Sequence, residues 1–162
     1  MDLAERHLRA GGYHSFSFRD LAVEAKIKSS SVHYHFPTKS ELVAAIVRRH
    51  TERFLEKISG DVEKGEKSLI EIYRGAFRGN VSNDQRMCLG GVIAVESGDL
   101  PSEVTKESRQ FFHRCVDDLA SRLGGQHAKE RALQIFATLE GGQILARAYK
   151  DAKMFDRATA DL

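Results

Sequence analysis

The sequence of 162 residues is 41% hydrophobic and contains only two prolines, so it can bury a core and form long, uninterrupted helices. A formal net charge of +2 excludes a protein that binds nucleic acid through the field of the whole molecule, so DNA binding would need local basic clusters. The two cysteines lack metal-ligand or CxxC spacing, and neither a signal peptide nor a bilayer-spanning apolar run is present, so we expect a reduced, cytoplasmic protein with no metal, cofactor or membrane partner.

The first predicted helix lies at the start of the chain. Leu3, Ala4 and Leu8 form one apolar stripe, and Gly11-Gly12 ends the helix. The abrupt opening at Met1 suggests that some N-terminal sequence is missing, which would leave this helix shortened.

The next segment has the pattern of a helix-turn-helix. Ser17 and Asp20 form a capping box, so a short second helix begins at Phe18. A turn that contains Ile27 separates it from a third helix at about residues 29–36. Because Ile27 is the apolar residue of a polar turn, we expect its side chain to be buried where the two helices cross.

The exposed side of the third helix is suited to DNA. Its side chains are hydroxyls, imidazoles and a phenol, and no acidic residue occurs between Glu24 and Glu41. Such groups bind phosphates and base edges. Phe16 and Phe18, by contrast, are expected to lie in the core of a three-helix head rather than to stack on bases.

A long helix is predicted to connect this head to a second helical module. Thr38 and Glu41 form another capping box, and apolar residues keep helical spacing from Leu42 to Val62. The predicted domains are therefore residues 1–45 and 46–162. Within the second domain, further helices are expected over residues 68–80, 87–96, 104–123 and 128–150.

The last of these helices is apolar on two sides. One side is expected to face its own core, and the other, where Gly141-Gly142 allows close approach, to contact a second subunit in a symmetric homodimer. The core-facing stripe consists of Leu133, Phe136, Ala137, Ile144, Leu145 and Ala148. The predicted dimer interface consists of Ile135, Leu139, Gly142, Ala146 and Tyr149. A central buried helix in a monomer is the alternative.

Aromatic and sulfur-containing side chains of the second domain are candidates to line a ligand pocket between helices. These residues are Tyr73, Phe77, Met87, Cys88, Phe111, Phe112, His113 and Phe136. An ordinary packed core explains the same residues. Cys88 follows the polar residues 82–86 and is either a thiol activated at a helix N-terminus, which would sense electrophiles or oxidants, or a small buried hydrophobic residue.

Four motifs occur together, in order, in the first third of the chain. They are Gly12-Tyr13, Ser17-x-Arg19-Asp20-Leu21-Ala22, Val32-His33-Tyr34-His35-Phe36 and Thr38-Lys39-x-Glu41-Leu42. This segment resembles the DNA-binding domain of the TetR family of bacterial repressors. The rest of the chain is similar more loosely to that family's variable helical domain, and Leu139-Glu140-Gly141-Gly142 resembles its dimerisation helix.

The resemblance implies an all-α fold in which a three-helix head with a helix-turn-helix is joined by a long helix to an all-helical ligand-binding and dimerisation domain. It implies a ligand-released repressor whose partners are a double-stranded DNA operator and a small-molecule inducer. Positions that commonly contact phosphate correspond to Ser17, Tyr34, His35 and Lys39, and Arg19 lies in the same motifs. Side chains at the entering end of the recognition helix, which would read base edges, are Lys28, Ser29, Ser30, Ser31 and His33.

The sequence departs from the family pattern at three positions. Lys26 stands where the family usually has a turn glycine, Lys28 where it often has a capping serine, and His33 where tyrosine is usual. We therefore expect Lys26 to adopt a positive φ at a cost of about 1 kcal/mol. We also expect Ser29 to cap the third helix in place of residue 28.

The leading hypothesis is a homodimeric, sequence-specific DNA-binding repressor that recognises a palindromic operator and is not an enzyme. One alternative is a small helical enzyme in which Glu96, Glu140 and His113 converge as acid and base, although no nucleophile-base spacing or metal motif accompanies them. Another is a helical protein-interaction module that has lost specific DNA binding.

Overall fold

The computed structural model describes residues 1–82 and 87–162, and the regular elements in these ranges are all helices. The α-helices are α1 (Asp2–Gly11), α2 (Phe18–Glu24), α3 (Ser29–His35), α4 (Lys39–Lys64), α5 (Leu69–Ser82), α6 (Leu89–Val95), α7 (Ser102–Leu123), α8 (Ala128–Tyr149) and α9 (Lys153–Ala158). The predicted all-α fold is confirmed. Most of the polar segment predicted before Cys88, residues 83–86, lies outside the described residues.

Both predicted capping boxes are present. The Ser17 N–H donates to the Asp20 carboxylate at 2.8 Å, and the Asp20 N–H donates to the Ser17 hydroxyl at 3.2 Å. Thr38 and Glu41 make the same reciprocal pair at 3.3 and 3.2 Å. These side chains satisfy amides that have no partner within the first helical turn, and so fix where α2 and α4 begin.

The turn between α2 and α3 agrees with expectation at one residue and differs at another. Lys26 has the predicted positive φ, 56°, but Ile27 is 51% exposed rather than buried. The core beside this turn contains Leu21, against which Val32 and Phe36 pack partly buried, and Ile27 lies with them around an open apolar pocket. Ile27 is therefore left at the surface.

The predicted Ser29 cap of α3 is also wrong. Ser29 is the first helical residue, and the capping position belongs to Lys28, which has an extended backbone with φ −77° and ψ 140°. A lysine side chain has no acceptor atom, so no side-chain hydrogen bond caps this helix.

The chain divides into two compact units. The first unit comprises Met1–His50 and Leu89–Phe111. Its core includes Phe16 and Phe18, which are 4% and 8% exposed as the sequence predicted, together with residues of α1, α2, α4, α6 and α7. Segment 89–111 therefore packs with the head, and the proposed boundary at residue 45 stays a prediction.

The second unit comprises Thr51–Cys88 and Phe112–Leu162. Here α5 packs against α8, and α8 packs against α9. The sequence pattern did not predict α9, a helix of only six residues that follows Lys150 in the left-handed conformation. Phe155 of α9 is fully buried, and a Cβ added at Gly142 of α8 would lie 3.0 Å from its ring, so glycine permits the close approach of the two helices.

Candidate functional site

Helix α3 presents a polar surface to solvent. Val32 and Phe36 attach it to the core of the first unit, and no residue of α3 is fully buried. Its exposed residues are Ser30, Ser31, His33, Tyr34 and His35, while Ser29 is half-buried. Tyr34 is 84% exposed, which is unusual for so large a ring in an isolated chain.

Basic side chains precede α3 in the sequence. Arg19 of α2 and Lys26 and Lys28 of the following turn are all exposed. The carboxylates of α2 are engaged within the unit, because Asp20 belongs to the capping box and Glu24 pairs with His7 at 2.7 Å. The turn and α3 therefore form a surface with positive and hydroxyl groups and no acidic side chain.

Several of the predicted DNA-binding residues also have partners inside the first unit. The Ser17 hydroxyl takes part in the capping box, and the His33 ring packs against the edge of Phe18 at 4.8 Å between centroids. Lys39 donates its ammonium to the carbonyl oxygen of Phe16 at 2.5 Å. The Lys39 ammonium also lies 4.6 Å and 4.5 Å from the ring centroids of Tyr13 and Phe16. In this arrangement Lys39 stabilises the head.

Glu96 makes a contact that the sequence did not predict. Its carboxylate accepts a hydrogen bond from the Tyr13 N–H at 2.8 Å, and it lies so close to Gly12 that an added Cβ would be 1.7 Å from Oε1. Glu96 directly follows α6, and Gly12 directly follows α1. This contact thus links segment 89–111 to the helix that supports α2 and α3.

Four aromatic rings pack edge to face in the second unit. Phe54 lies 6.0 Å from both Tyr73 and Phe77, and Phe136 lies 5.9 Å and 5.6 Å from the same two rings. We call Phe54, Tyr73, Phe77 and Phe136 the aromatic cluster. Burial raises the pKa of the Tyr73 hydroxyl, which donates to Asp118 at 2.6 Å.

The other predicted pocket residues do not all join this cluster. Cys88 is buried, and Gln143 of α8 accepts a hydrogen bond from its N–H at 2.7 Å. Met87 and Phe112 are half-buried, and His113 is exposed. Phe111 belongs to the first unit, where it packs against Gly90. The predicted set is therefore divided between two units.

Glu140 of α8 has an unusual environment for a carboxyl group. Its Oε1 is buried and has no hydrogen-bond partner among the described residues. Burial raises the pKa of this carboxyl to about 7, an effect that a hydrogen bond with the Cys88 side chain only partly offsets. A glutamate on an otherwise apolar helix face was the sequence signal that could have identified it.

Helix α8 has two apolar sides, as predicted, but the side that is buried in its own chain is not the predicted one. Four of the five residues predicted for the dimer interface are buried within their own chain: Ile135, Leu139, Gly142 and Ala146. Much of the stripe expected to face the core is exposed instead, namely Leu133, Ala137, Ile144, Leu145 and Ala148. Side chains already buried in one chain cannot provide contact area for another. The prediction that these four residues form the dimer interface is therefore wrong.

The described residues form neither a membrane span nor a metal site. No helix there is long and apolar enough to cross a bilayer. No group of His, Cys, Asp or Glu side chains within residues 1–82 and 87–162 is arranged to hold a metal ion.

Residues 1–46 match the family model for bacterial regulatory proteins of the tetR family, and residues 68–161 match the C-terminal domain model of LmrA/YxaF-like transcriptional regulators. The chain belongs to the TetR family. As a TetR-family protein it is a DNA-binding transcriptional regulator with a helix-turn-helix. No curated protein sequence matches it.

Solved TetR-family structures have the same fold. A TetR transcriptional regulator from Legionella pneumophila is 29% identical with a TM-score of 0.89, and the match covers 98% of this chain and 90% of that one. A TetR-family regulator from Agrobacterium tumefaciens is 29% identical with a TM-score of 0.88 and the same coverage, 98% and 90%. Reduced NemR of E. coli is 16% identical with a TM-score of 0.81 over 96% of this chain and 89% of its own, which shows the fold alone.

Proposed function

We propose that this TetR-family protein is a homodimeric repressor that binds a palindromic operator through α3 and is released by a small-molecule effector. The observation that carries the proposal is the exposed, acid-free surface of α3 beside exposed Lys26 and Lys28. Serine hydroxyls and imidazoles at the start of a recognition helix can reach base edges, and the basic turn can contact phosphates. We assign Ser30, Ser31 and His33 to base edges.

Phosphate contacts are assigned to the groups that surround α3. Tyr34 and His35 are exposed in the C-terminal half of α3. Arg19 belongs to α2, and Lys28 directly precedes α3. Ser17 and Lys39 are assigned a supporting role, because their polar groups are already used within the head. Such contacts set the orientation of the head without reading sequence.

The proposed dimer uses the exposed stripe of α8. Leu133, Ile144 and Leu145 are 52%, 48% and 42% exposed, and the half-buried Gly141 allows another helix to approach this side. A self-complementary stripe of this kind is typical of a twofold interface. Two heads related by a twofold axis would bind two half-sites of a palindrome.

DNA binding can be tested by fluorescence anisotropy on duplexes from the intergenic region beside the protein's own gene, with scrambled duplexes as the control. We expect tight binding to a native duplex only. Lys28→Ala should weaken binding and reduce the salt slope by about one, whereas Ser30→Ala should reduce the preference for the native duplex. Lys106→Ala, an exposed lysine of α7, is the matched control and should change neither.

The dimer can be tested by light scattering coupled to size-exclusion chromatography. Leu133→Glu combined with Ile144→Glu should convert the dimer to a monomer, and Arg131→Glu on the same helix should not. A wild-type protein that is monomeric at micromolar concentration contradicts the dimer. Equal, weak binding of native and scrambled duplexes by a folded dimer would contradict the repressor and favour an interaction module.

A further inference from the structure

One buried carboxylate oxygen of Glu140 lacks the partner that such an atom normally requires. Oε1 has no hydrogen-bond partner among the described residues, and none of the ion pairs found there involves Glu140. Buried charged groups are normally paired, because removal from water without a partner is costly. The carboxyl therefore has an unused acceptor inside the second unit.

The polar neighbour of Glu140 on the next turn of α8 is already engaged. Gln143 donates to the Phe77 carbonyl oxygen at 2.8 Å and accepts from the Cys88 N–H at 2.7 Å. Its amide therefore bonds to groups other than Glu140.

Two cysteine side chains interact with Glu140 from the surrounding segments. The Cys88 thiol hydrogen-bonds to the carboxyl from the residue before α6. On α7, burial raises the pKa of Cys115, so this thiol is neutral near pH 7. Asp118 also lies on α7 but is paired with Arg122. The described neighbours therefore provide no unpaired positive charge for an ionised Glu140.

Glu140 shares a face of α8 with an aromatic residue. Phe136 precedes Glu140 by one helical turn, so the two side chains share a face of α8. Through Phe136 that face adjoins the rest of the aromatic cluster, with ring distances of 5.6 to 6.0 Å. The faces of aromatic rings attract cations, and a carboxylate beside them adds a full negative charge.

We propose that the second unit binds an organic ammonium ion, whose charge pairs with the Glu140 carboxylate and whose apolar groups contact the aromatic cluster. The inference rests on the proposed release by an effector, and it names the chemical class of that effector. An ammonium N–H would supply the donor that Oε1 lacks, which an anion cannot do. Tyr73, Phe77 and Phe136 are at most 3% exposed, so binding must move the helices that carry them.

Isothermal titration calorimetry with 2-phenylethylamine and with 2-phenylethanol tests the proposal on the 162-residue chain. The two probes have nearly the same shape, but only the amine is charged at neutral pH. We expect the amine to bind and the alcohol to bind about tenfold or more weakly. Equal affinities, or no binding of the amine at millimolar concentration, would overturn the proposal.

Two variants locate the binding site. Glu140→Gln should weaken amine binding about tenfold to a hundredfold, the effect of losing one hydrogen bond between charged groups. Glu130→Gln, an exposed glutamate of the same helix, is the matched control and should bind as the wild type does. Undiminished binding by a folded Glu140→Gln protein would contradict the assignment.

Proton release provides a test that does not depend on any variant. Because the pKa of Glu140 is about 7 in the free protein, about half of the molecules carry the proton at pH 7. Pairing with a cation stabilises the carboxylate, so binding at pH 7 should release about half a proton, measured by calorimetry in buffers of different ionisation enthalpy. Affinity should rise between pH 6 and pH 8. Binding without proton release would overturn the proposed pairing.

DNA-binding anisotropy separates this inference from the proposed function. Release of a specific duplex by the amine in the wild type, but not in Glu140→Gln, would support both. Release by an uncharged effector that acts equally on Glu140→Gln would overturn the ammonium site and leave the repressor intact. Amine binding in a protein that binds no specific duplex would support the site and contradict the repressor.

Discussion

The ammonium of Lys39 donates a hydrogen bond to the carbonyl oxygen of Phe16 at 2.5 Å and lies 4.5 Å from the centroid of the Phe16 ring. The side chain connects the first turn of α4 to the segment between α1 and α2. Burial of the ammonium lowers the pKa of Lys39, and nearby Asp20 and Glu96 oppose the shift. A residue expected to contact DNA phosphate is therefore part of the internal structure of the head.

Lys39→Met should destabilise the protein, because methionine retains the apolar stem but removes the hydrogen bond and the cation–π contacts. We expect a loss of about 1 to 2 kcal/mol in the free energy of unfolding, measured by urea denaturation. Lys106→Met, at an exposed lysine, should leave it unchanged. Unchanged stability together with weaker DNA binding would instead assign Lys39 to phosphate.

Gly12→Ala should destabilise the first unit for two reasons. Gly12 has φ 78°, and the new Cβ would displace the Glu96 carboxylate from the Tyr13 N–H. We expect a combined cost of about 2 kcal/mol, of which about half is backbone strain. In a Glu96→Ala background only the strain should remain, so the double-mutant cycle should show coupling of about 1 kcal/mol.

The matched control for Gly12 is Gly98→Ala, because no atom lies within 4 Å of a Cβ added there. It should change the free energy of unfolding by less than about 0.5 kcal/mol. Additive effects of Gly12→Ala and Glu96→Ala would show that the carboxylate does not depend on the glycine.

Two glycines inside helices should respond to alanine in opposite directions. A Cβ at Gly90 of α6 would lie 2.2 Å from the buried ring of Phe111, so Gly90→Ala should cost about 1 to 3 kcal/mol by overpacking. Nothing lies within 4 Å of a Cβ at Gly79 of α5, so Gly79→Ala should stabilise by about 0.5 to 1 kcal/mol through higher helix propensity. Thermal denaturation followed by circular dichroism measures both.

Glu140 should make stability depend on pH in the absence of a ligand. Burial raises its pKa from 4.5 to about 7. The contribution of the Glu140 proton to stability is therefore fully present below pH 4.5 and is lost as the pH rises to about 7. The pKa shift corresponds to a decrease of roughly 2 to 4 kcal/mol in the free energy of unfolding. Glu140→Gln should therefore gain stability relative to the wild type as pH rises from 5 to 7. Parallel profiles for the two proteins would show that the carboxyl titrates normally.

Local sequence patterns predicted the individual elements well. The Ser17 and Thr38 capping boxes are determined by residues three apart, and Gly12 ends α1 because glycine readily adopts positive φ. The positive φ of Lys26 was also predicted. Ile27 and the cap of α3 were predicted wrongly, because they depend on how the helices around the turn pack and on where the first helical residue falls.

The sequence by itself determined that this protein is all-helical, where most of its helices begin and end, and that α8 is apolar on two sides. These properties follow from interactions within a few residues. Only the tertiary structure decided which side of α8 faces α9, because a helical period is the same for a core and for an interface. Likewise, only packing between helices leaves Oε1 of Glu140 unpaired and places the Lys39 ammonium against Phe16.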